Sequence, residues 1–487
     1  MSDLRLGKST HPGRRALALS AALGGVLLLL GGGTLFRPEP PVFNGNRAPL
    51  VGRTTTICTT SAPQKGEPGG KTEVSAVAIR EGSDRSGLLT GSTLSSKPAG
   101  LKITQQGKGT QLLGVSSPIV ISGEGAMATA NSAVITGDVM EGQEAGLKAA
   151  PCLTAGTLQW FSGLGTTDED RTELILTNPD DTQAQVDLRY YGPRGRIAVP
   201  GSPGQVIRAH ESLTLSLNGL VPADGPLSVA VQATQGRVTA VAKRGQSEQS
   251  KPAGVDWQIP SAAPSPVVVI PGVPEDAGKR QLVVTNPGNS RATVGVQVLG
   301  FQGPYEPTGA GSLIVPPEST ATVSLENGLA GTAGSIKLTS DVPVTGAVIS
   351  TSRRGGAAPD LAIQSAAAPL IGTGVSAIGT SKTADSELIV SNAGDPDVQI
   401  TFEIVDYGGV KLRSGEMVLG SNSTATRRLT SQPPSYVIVE VPDGSSVVGG
   451  VVLTQPQRKV AGLATIPLAA NLASRATATK PDYSAGR

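Results

Sequence analysis

The clearest pattern in the chain is a short apolar run, a turn and an alternating segment, and this pattern occurs three times. The apolar runs LILT, LVVT and LIVS are followed directly by Asn178, Asn286 and Asn392, which are 108 and 106 residues apart. Beyond each turn, apolar and polar residues alternate, as in VGVQV, where every second residue is valine. A period of two predicts a β-strand with one buried face. The sequence therefore predicts a recurring strand–turn–strand unit.

The residues after the asparagine explain where the first strand stops. Pro179 and Pro287 cannot donate a ladder hydrogen bond, so the strand ends there. Asparagine tolerates the extended conformation that proline imposes on the residue before it, and its amide can bond the backbone of the turn. In the third copy Ala393 replaces the proline, and Gly394 and Pro396 follow closely. We expect the asparagine to organise the turn in all three copies.

The second copy divides into seven predicted strands. They cover residues 267–270, 281–286, 292–300, 312–315, 320–325, 334–340 and 344–351. The connections are short, so neighbouring strands should be antiparallel. Seven short strands in about a hundred residues are typical of an immunoglobulin-like sandwich. Since the Cys–Trp–Cys pattern is absent, the prediction rests on strand number and patterning. A β-propeller, with two four-stranded blades from each copy, is the alternative.

A second shared phrase closes each copy. AGVDWQIPSAA, AAPDLAIQSAA and AGLATIPLAA align with one gap, so that Ile259, Ile363 and Ile466 fall in register. A similar phrase, AGLKAAPC, ends at Cys152, although the strand–turn phrase is absent upstream of it. This earlier match suggests that residues 50–152 form a fourth, diverged copy.

These patterns predict an all-β protein of tandem immunoglobulin-like sandwiches, projecting as a rod behind a single N-terminal transmembrane helix. The predicted segments are a basic cytoplasmic segment at 1–15, a transmembrane anchor or signal at 16–36, a proline-rich spacer at 37–49, a diverged sandwich with a disulfide at 50–152, sandwich repeats at 153–264, 265–369 and 370–470, and a disordered tail at 471–487.

The N-terminus carries the signal for export. Arg14 and Arg15 precede a run from Ala16 to Phe36 that contains no charged residue. About twenty apolar residues suffice to span a bilayer as a helix, and the basic flank favours a cytoplasmic N-terminus. No A-x-A-like cleavage site follows. We expect an uncleaved single-pass anchor in the cell membrane with extracellular C-terminal domains. A cleaved signal peptide, which would give a secreted protein, and a buried soluble helix are the alternatives.

The chain has two cysteines, Cys58 and Cys152, and both lie on the expected extracytoplasmic side. In an oxidising compartment the simplest interpretation is one disulfide, which would stabilise the fold by roughly 4–5 kcal/mol in the chain-entropy model. Two unrelated buried thiols are the other interpretation. A catalytic cysteine is disfavoured because the exported part has a single histidine, His210, that nothing marks as a base.

Composition narrows the range of partners. Gly (63) and Pro (37) are abundant, as expected for many short strands joined by turns. Of the formal charge of +2, the N-terminal segment carries +3, which leaves the body near neutral and without basic runs. Because phosphate binding needs clustered cations, nucleic acid is not an expected partner.

Few residues in the sequence suggest a ligand-binding or catalytic site. KGEPGGKT, residues 65–72, resembles a phosphate-binding loop, but its first position is lysine and no strand–loop–helix context is evident, so we interpret it as a flexible loop. Trp160 and Trp257 could stack on sugars, but their apolar contexts favour packing. Acidic residues precede the second strand of each copy and could bind calcium, although solvated turns are the commoner interpretation. These residues are Asp168, Glu169, Asp170, Glu275, Asp276, Asp385 and Glu387.

Several phrases together resemble a known family. They are WFSG at residues 160–163, LILTNP, VPPES at 315–319 and TSDVPVTG at 339–346. They are similar to an actinobacterial family of secreted or membrane-anchored proteins of unknown function (domain of unknown function 5719), over roughly residues 50–470. The third copy departs from the pattern in having Ala393 and no Trp-Phe pair. The resemblance implies a cell-envelope location and assigns no catalytic residues.

The sequence therefore favours a non-catalytic, membrane-anchored extracytoplasmic protein that acts as a cell-envelope scaffold or adhesion module. Its exposed strand edges and loops would engage an unknown envelope protein or glycan, and no cofactor or metal is expected. An accessory or ligand-binding subunit for surface polysaccharide assembly is the alternative. A hydrolase is disfavoured because no G-x-S-x-G elbow, histidine metal cluster or Cys/His pair is present.

Overall fold

The alternating segments form long strands with one buried face. In the strand Ala292–Gly300, the side chains of Val294, Val296 and Val298 are buried, whereas Thr293 and Gly295 are exposed. This burial pattern is the period of two that the sequence predicts for a strand covering one face of a core. The same alternation recurs in the strands Ala184–Gly192 and Val398–Asp406.

The computed structural model describes residues 52–60, 71–80, 86–222, 225–275, 278–326, 328–329, 331–352, 358–378, 385–429, 433–455 and 461–470. The predicted segments at 1–15, 16–36, 37–49 and 471–487 lie outside these ranges. The described residues form β-structure without helices, which confirms the all-β prediction. Accordingly, none of them belongs to a helix long and apolar enough to cross a membrane.

The strands build four successive sandwiches. The first contains β1 (Arg53–Cys58), β2 (Lys71–Ala78), β3 (Gly87–Thr93), β4 (Pro98–Ile103), β5 (Lys108–Leu113), β6 (Ile119–Gly125), β7 (Asn131–Val139) and β8 (Gly146–Pro151). The second contains β9 (Leu158–Leu164), β10 (Asp170–Thr177), β11 (Ala184–Gly192), β12 (Gly195–Ile197), β13 (Gln205–Ile207), β14 (Ser212–Ser216), β15 (Leu227–Gln235), β16 (Thr239–Glu248) and β17 (Lys251–Gln258).

The third contains β18 (Ser265–Val273), β19 (Arg280–Asn286), β20 (Ala292–Gly300), β21 (Gly303–Tyr305), β22 (Ser312–Val315), β23 (Ser319–Ser324), β24 (Gly334–Ser352) and β25 (Asp360–Ser365). The fourth contains β26 (Thr373–Ile378), β27 (Asp385–Asn392), β28 (Val398–Asp406), β29 (Lys411–Leu419), β30 (Ser423–Leu429), β31 (Ser435–Glu440), β32 (Val447–Gln455), β33 (Gly462–Pro467) and β34 (Ala469–Ala470).

All four sandwiches share one strand order, and every pairing between their strands is antiparallel. One sheet runs β5-β2-β7-β8 in the first sandwich, and its counterparts are β14-β10-β16-β17, β23-β19-β24-β25 and β30-β27-β32-β33. The facing sheets run β4-β3-β6-β1, β12-β11-β15-β9, β21-β20-β24-β18 and β29-β28-β31-β26. Successive strands therefore pass back and forth between the two layers, which confirms tandem β-sandwiches. The first sandwich has the same order as the other three.

The third sandwich differs from its sequence prediction at one strand. The segments 334–340 and 344–351 were expected as two strands, but they form the single strand β24. Its first part pairs with β18 and β20, and its second part pairs with β19 and β25. Pro343 lies between the two parts, where the extended chain passes from one sheet to the other. A proline need not end a strand at such a crossing, because its missing N–H has no ladder partner to lose.

The sandwiches close into a ring, and the expected rod is wrong. Val77 and Ile79 of the first sandwich pack in one apolar cluster with Val375, Val405 and Tyr436 of the fourth. The last strands of the sandwiches, β8, β17, β25 and β33, lie side by side at the centre, and we call them the axial strands. The paired layers are those of a sandwich, while the circular layout is the feature that the propeller alternative shares.

Candidate functional site

The axial strands are joined by a buried carboxyl group. Asp360 in β25 accepts hydrogen bonds through Oδ2 from the backbone N–H of Leu147 (2.9 Å) and of Leu463 (2.7 Å). Its Oδ1 accepts from Leu361 (2.9 Å) and Val255 (3.4 Å). These four donors lie on β8, β33, β25 and β17. One side chain therefore links all four sandwiches.

A second carboxyl group lies one sandwich earlier. Asp256 in β17 accepts hydrogen bonds from the backbone N–H of Trp257 (2.8 Å), Ala149 (3.3 Å) and Ile363 (2.9 Å). It therefore connects three of the four sandwiches. In the shared closing phrase, Asp256 and Asp360 occupy the same position, and both side chains are completely buried.

Burial alters the ionisation of both groups. Desolvation raises the pKa of Asp360 to about 7, although four backbone N–H groups oppose the shift. Desolvation also raises the pKa of Asp256 well above its ordinary value, against three backbone hydrogen bonds. A perturbed carboxyl group is a catalytic candidate when it faces a cleft. Here the acceptors are taken by backbone donors, so the arrangement fastens strands together.

Glycines allow the axial strands to approach each other. Gly254 has φ +113°, and a Cβ at this position would lie 2.3 Å from the backbone nitrogen of Leu361. A Cβ at Gly146 would lie 2.4 Å from Oδ1 of Asp360. Only glycine combines that backbone conformation with so close a contact. Gly146 and Gly254 are thus required by packing along the axis, whereas the phrase that contains Asp360 has Ala358 at this position.

The centre of the ring is filled. A cavity of about 10 Å³ lies there, lined by residues of all four axial strands, among them Ala149, Trp257, Ile363 and Thr465. This volume accommodates no more than about one water molecule. The axis is therefore a packed core and offers no room for a ligand at this point.

The recurring asparagines organise the turns, as expected. Asn178 is completely buried, and its Nδ2 donates to the carbonyl oxygens of Thr182 (2.7 Å), Ile207 and Arg208 (3.1 Å each). Its Oδ1 accepts from the N–H of Asp180 at 3.0 Å. Asn286 and Asn392 repeat this arrangement with the corresponding turn residues. The repeated amide thus satisfies backbone groups of the turn and is not exposed for ligand binding.

A buried charge cluster lies between the first and second sandwiches. Glu144 pairs with Lys148 (2.9 Å) and Lys243, and Lys243 also pairs with Glu173 at 2.9 Å. Burial opposes ionisation of Glu144, but the two lysines outweigh it and lower its pKa to about 2. Lys148 also lies over the ring of Trp257, 5.4 Å from its centroid. An adjoining cavity of about 190 Å³ is lined partly by Glu144, Glu173 and Lys243.

The sandwiches also contact each other at their outer edges, where a hairpin tip of one approaches an edge strand of the next. The tips lie at the ends of β11, β20 and β28, and the opposing edge strands are β23, β30 and β5. Thr320 of β23 donates its hydroxyl to the carbonyl of Tyr191 (3.0 Å). Thr424 of β30 donates in the same way to Leu299 (2.6 Å). A threonine thus sets the distance of the tip at two of the junctions.

At the junction between the fourth and first sandwiches, which we call the closed junction, glycine replaces this threonine. The N–H of Gly109 in β5 donates to the carbonyl of Tyr407 at 3.0 Å. A Cβ at Gly109 would lie 2.5 Å from Cδ1 of Tyr407. The ring of Tyr407 also lies 6.5 Å from that of Tyr436, measured between centroids. Burial raises the pKa of Tyr407. The tip therefore rests directly on the edge strand.

At the junction between the third and fourth sandwiches, which we call the open junction, a groove of about 580 Å³ lies beside the contact between Thr424 and Leu299, and residues of the tip and of the edge strand line it. Its lining comprises Phe301, Gln302, Gly303, Val418, Gly420, Ser421, Ser423, Thr424, Ala425 and Thr426. Phe301 is 46% exposed and Val418 is 68% exposed. None of these described lining residues is charged. This volume lies in the usual range of about 300–1,000 Å³ for ligand sites.

The structure also shows the surroundings of the cysteines, the tryptophans and the histidine that the sequence analysis singled out. Cys58 and Cys152 form a disulfide in the core of the first sandwich. Trp160 and Trp257 are buried, with 7% and 3% exposed, so packing accounts for both. His210 contacts Asp181 at the surface, with 2.9 Å between Nε2 and Oδ1. The loop at 65–72 lies mostly outside the described residues.

The acidic residues considered as possible calcium ligands lie in two kinds of environment, an ion pair and a small pocket. Asp170 forms an ion pair with Arg244. Glu275, Asp385 and Glu387 line one small pocket with Arg428, between the third and fourth sandwiches. Burial raises the pKa of Glu387. Asp276 lies outside the described residues. Among the described residues, no three His, Cys, Asp or Glu side chains are placed to hold a metal ion together.

Sequence reasoning missed the axial carboxyls and the groove. The axial position had a signal, because an aspartate stands inside an otherwise apolar closing phrase in two copies. The sequence signal for the groove was weaker. Phe301 and Tyr407 occupy equivalent positions, at the ends of the twelve-residue segments 290–301 and 396–407. Nothing in either segment shows that one aromatic ring is covered and the other is not.

The fold defines a class of protein, a closed ring of four β-sandwiches with a packed axis. Residues 104–430 match the model of a family of unknown function, DUF5719, and the chain belongs to this family. No curated protein matches the chain.

Proposed function

We propose that the protein is a non-catalytic, membrane-anchored extracytoplasmic scaffold that holds another component of the cell envelope. The observation that carries this proposal is the use of the recurring polar side chains. Asp256, Asp360 and the three turn asparagines bond backbone groups within the ring, so they give rigidity. A rigid ring presents its outer tips and edge strands in fixed positions.

The disulfide supports the proposed location. Cys58 and Cys152 are joined within the core of the first sandwich, and such bonds persist in oxidising compartments. The uncharged run at residues 16–36, preceded by Arg14 and Arg15, supports anchoring with the N-terminus in the cytoplasm. Location and anchoring thus rest on two separate parts of the chain.

The location is tested on intact cells. A membrane-impermeant protease added outside should degrade the ring, whereas an epitope placed before Arg14 should stay protected until the cells are lysed. Alkylation under denaturing conditions should label Cys58 and Cys152 only after reduction. Two freely reactive thiols in the cellular protein, or a ring that the external protease cannot reach, would contradict the proposal.

The scaffold role is tested by crosslinking in living cells, with a photoreactive residue placed on the outer tips and edge strands. One defined envelope partner should be captured from a particular face, and the purified chain should leave envelope substrates unchanged. Turnover of a glycan or peptide substrate by the purified chain would overturn the non-catalytic assignment. The alternative, a ligand-binding subunit for surface polysaccharide, is favoured only by the uncharged groove at the open junction.

A further inference from the structure

The groove at the open junction has a free strand edge as one wall. β30 is the outermost strand of its sheet, paired with β27 on one side only. Four consecutive residues of this region, 423–426, line the groove. Successive side chains of a strand point to opposite faces, so consecutive lining residues place the backbone edge itself at the groove.

The hydrogen bonds of the other sandwiches identify which backbone groups face outward. Leu217 and Leu325 each lie one residue beyond the end of an edge strand. Their backbone N–H groups donate inward, to the neighbouring strand of the same sheet. Inward and outward residues alternate back along the edge strand from these positions, and in the shared register the backbone N–H of Gly109 is an outward one. It indeed donates to Tyr407 rather than to β2. Thr424 occupies the position of Gly109. The backbone groups of Thr424 and Thr426 therefore face the groove, because outward groups alternate along an antiparallel strand.

The closed junction shows what such an edge accepts. There the Gly109 N–H bonds a peptide carbonyl, and the aromatic ring of Tyr407 covers the strand. At the open junction, the hydroxyl of Thr424 at the equivalent position bonds Leu299 of the tip, and Thr424 is buried, so the edge lies open to the groove beyond it, at Ala425 and Thr426. A peptide backbone and an apolar side chain would complete here the contact that the chain itself completes at the closed junction.

From this comparison we propose that the groove binds an extended, uncharged peptide segment of a partner protein, which adds as a further strand to β30. Backbone hydrogen bonds to Thr426, the outward-facing residue of β30 that the tip leaves accessible, hold the segment, and Phe301 and Val418 cover its apolar side chains. Strand addition to a sheet edge is a common mode of peptide recognition. The proposal rests on the scaffold role and names its partner class and its site.

The absence of charge in the described lining favours this occupant over a charged one. Exposed edges are usually protected by charged side chains, and in β30 the charges stand at the far end, at Arg427 and Arg428. Of the uncharged residues before them, Ser423 and Thr424 are buried, so Ala425 and Thr426 form the accessible part of the edge without that protection.

The test uses the purified full-length chain and a display library of random eight-residue peptides. Peptides enriched on the wild-type chain are synthesised with a fluorescent label, and their Kd is measured by anisotropy. Thr426→Pro removes one outward N–H and leaves the inward ladder bonds in place. Thr426→Val removes only the hydroxyl, and Thr322→Pro makes the same backbone change on β23, away from the groove.

We expect Thr426→Pro to weaken peptide binding at least tenfold, while Thr426→Val and Thr322→Pro stay within about twofold of the wild-type chain. Phe301→Ala should weaken binding by a similar factor to Thr426→Pro. Circular dichroism and thermal melts verify that each variant is folded.

Three outcomes would overturn the peptide site. They are the enrichment of no peptide, an equal loss for Thr426→Val and Thr426→Pro, and binding of soluble envelope polysaccharide with the same hydroxyl dependence. The last two would assign a glycan to the groove. Since crosslinking in cells reports on the whole outer surface, the scaffold role survives if a partner is captured at another face.

Discussion

The closed and open junctions are built from the same elements and end in different states. At the closed junction, Gly109 lets the hairpin tip descend until Tyr407 covers the edge strand. At the open junction, Thr424 bonds the tip through its side chain, and Phe301 remains 46% exposed beside a groove. The comparison teaches that a glycine in the edge strand lets the tip rest on the strand itself, whereas a threonine there bonds the tip through its side chain. It also gives the predictions below, from the largest expected effect to the smallest.

Reduction of the disulfide should weaken the closed junction most. Cys58 and Cys152 are 94 residues apart in sequence and cross-link the first sandwich, which supplies Gly109. Loss of a crosslink over a loop of this length should cost about 4 kcal/mol. Hydrogen exchange with a reductant should increase in β5 and β8 and stay unchanged in β30. A variant with both cysteines replaced by serine should not respond to the reductant, and equal exchange increases at both junctions would refute the assignment.

Raising the pH should also act on the closed junction, because Asp360 bonds Leu147 of the first sandwich and Leu463 of the fourth. The pKa of Asp360 is about 7 in the fold and 3.8 as its ordinary value. Between these values the folded protein holds a proton that the unfolded chain has released, so stability is full at low pH and falls as pH rises.

From pH 5 to pH 7, the titration of Asp360 should decrease the free energy of unfolding by about 2 kcal/mol, because the slope of about 1.4 kcal/mol per pH unit falls to half as the pH reaches the pKa of the folded state. Urea unfolding at pH 5, 6 and 7 measures this slope. Glu144 does not contribute to this slope, because its pKa is lowered and the stability that it provides changes with pH only below pH 4.5. Asp360→Asn should reduce the slope and leave the part that Asp256 contributes through its own raised pKa, and an unchanged slope in that variant would show that Asp360 does not cause it.

Gly109→Thr should convert the closed junction into an open one. The new side chain collides with the ring of Tyr407, since a Cβ alone would lie 2.5 Å from it. Overpacking of this kind costs about 2–3 kcal/mol. Urea unfolding gives the loss, and Tyr407 should become accessible to tyrosine nitration. Gly156→Thr is the control, because nothing lies within 4 Å of a Cβ there. A tyrosine that stays protected in Gly109→Thr would contradict the role of this glycine.

Tyr407→Ala and Phe301→Ala form a matched pair with the smallest effects. Tyr407 is packed between Gly109 and Tyr436, so its truncation should lower the free energy of unfolding by about 2 kcal/mol. Phe301 is half exposed, and its truncation should cost less than about 0.5 kcal/mol. Chemical unfolding of both variants under one set of conditions measures the difference. Equal losses would mean that the two tips are packed alike.

The sequence predicted much of the local structure correctly. The alternation in 292–300 gave a strand with the observed bounds, and the Asn-Pro pair gave a turn bonded by the asparagine amide. These features depend on residues close together in the chain. The third copy kept the turn although Ala393 replaces proline, because the amide of Asn392 still bonds the turn residues.

Prediction failed where distant segments meet. The stretch around Pro343 suggested a turn, but the strand continues because one half pairs in each sheet of the third sandwich. The closing phrases showed a repeat, yet nothing in them indicated that the axial strands of all four copies meet at Asp360. A rod and a ring use the same sandwich, so the local pattern cannot distinguish them.

The sequence by itself determined the all-β class, the repeated sandwich and the turn chemistry, because a period of two and a buried asparagine act within a few residues. The tertiary structure alone decided that the sandwiches form a ring, that two aspartates fasten its axis and that one junction is sealed while another is open. Those outcomes depend on close approaches between residues hundreds of positions apart, such as Gly109 and Tyr407. Whether such an approach is possible is set by the space that the whole fold leaves between them.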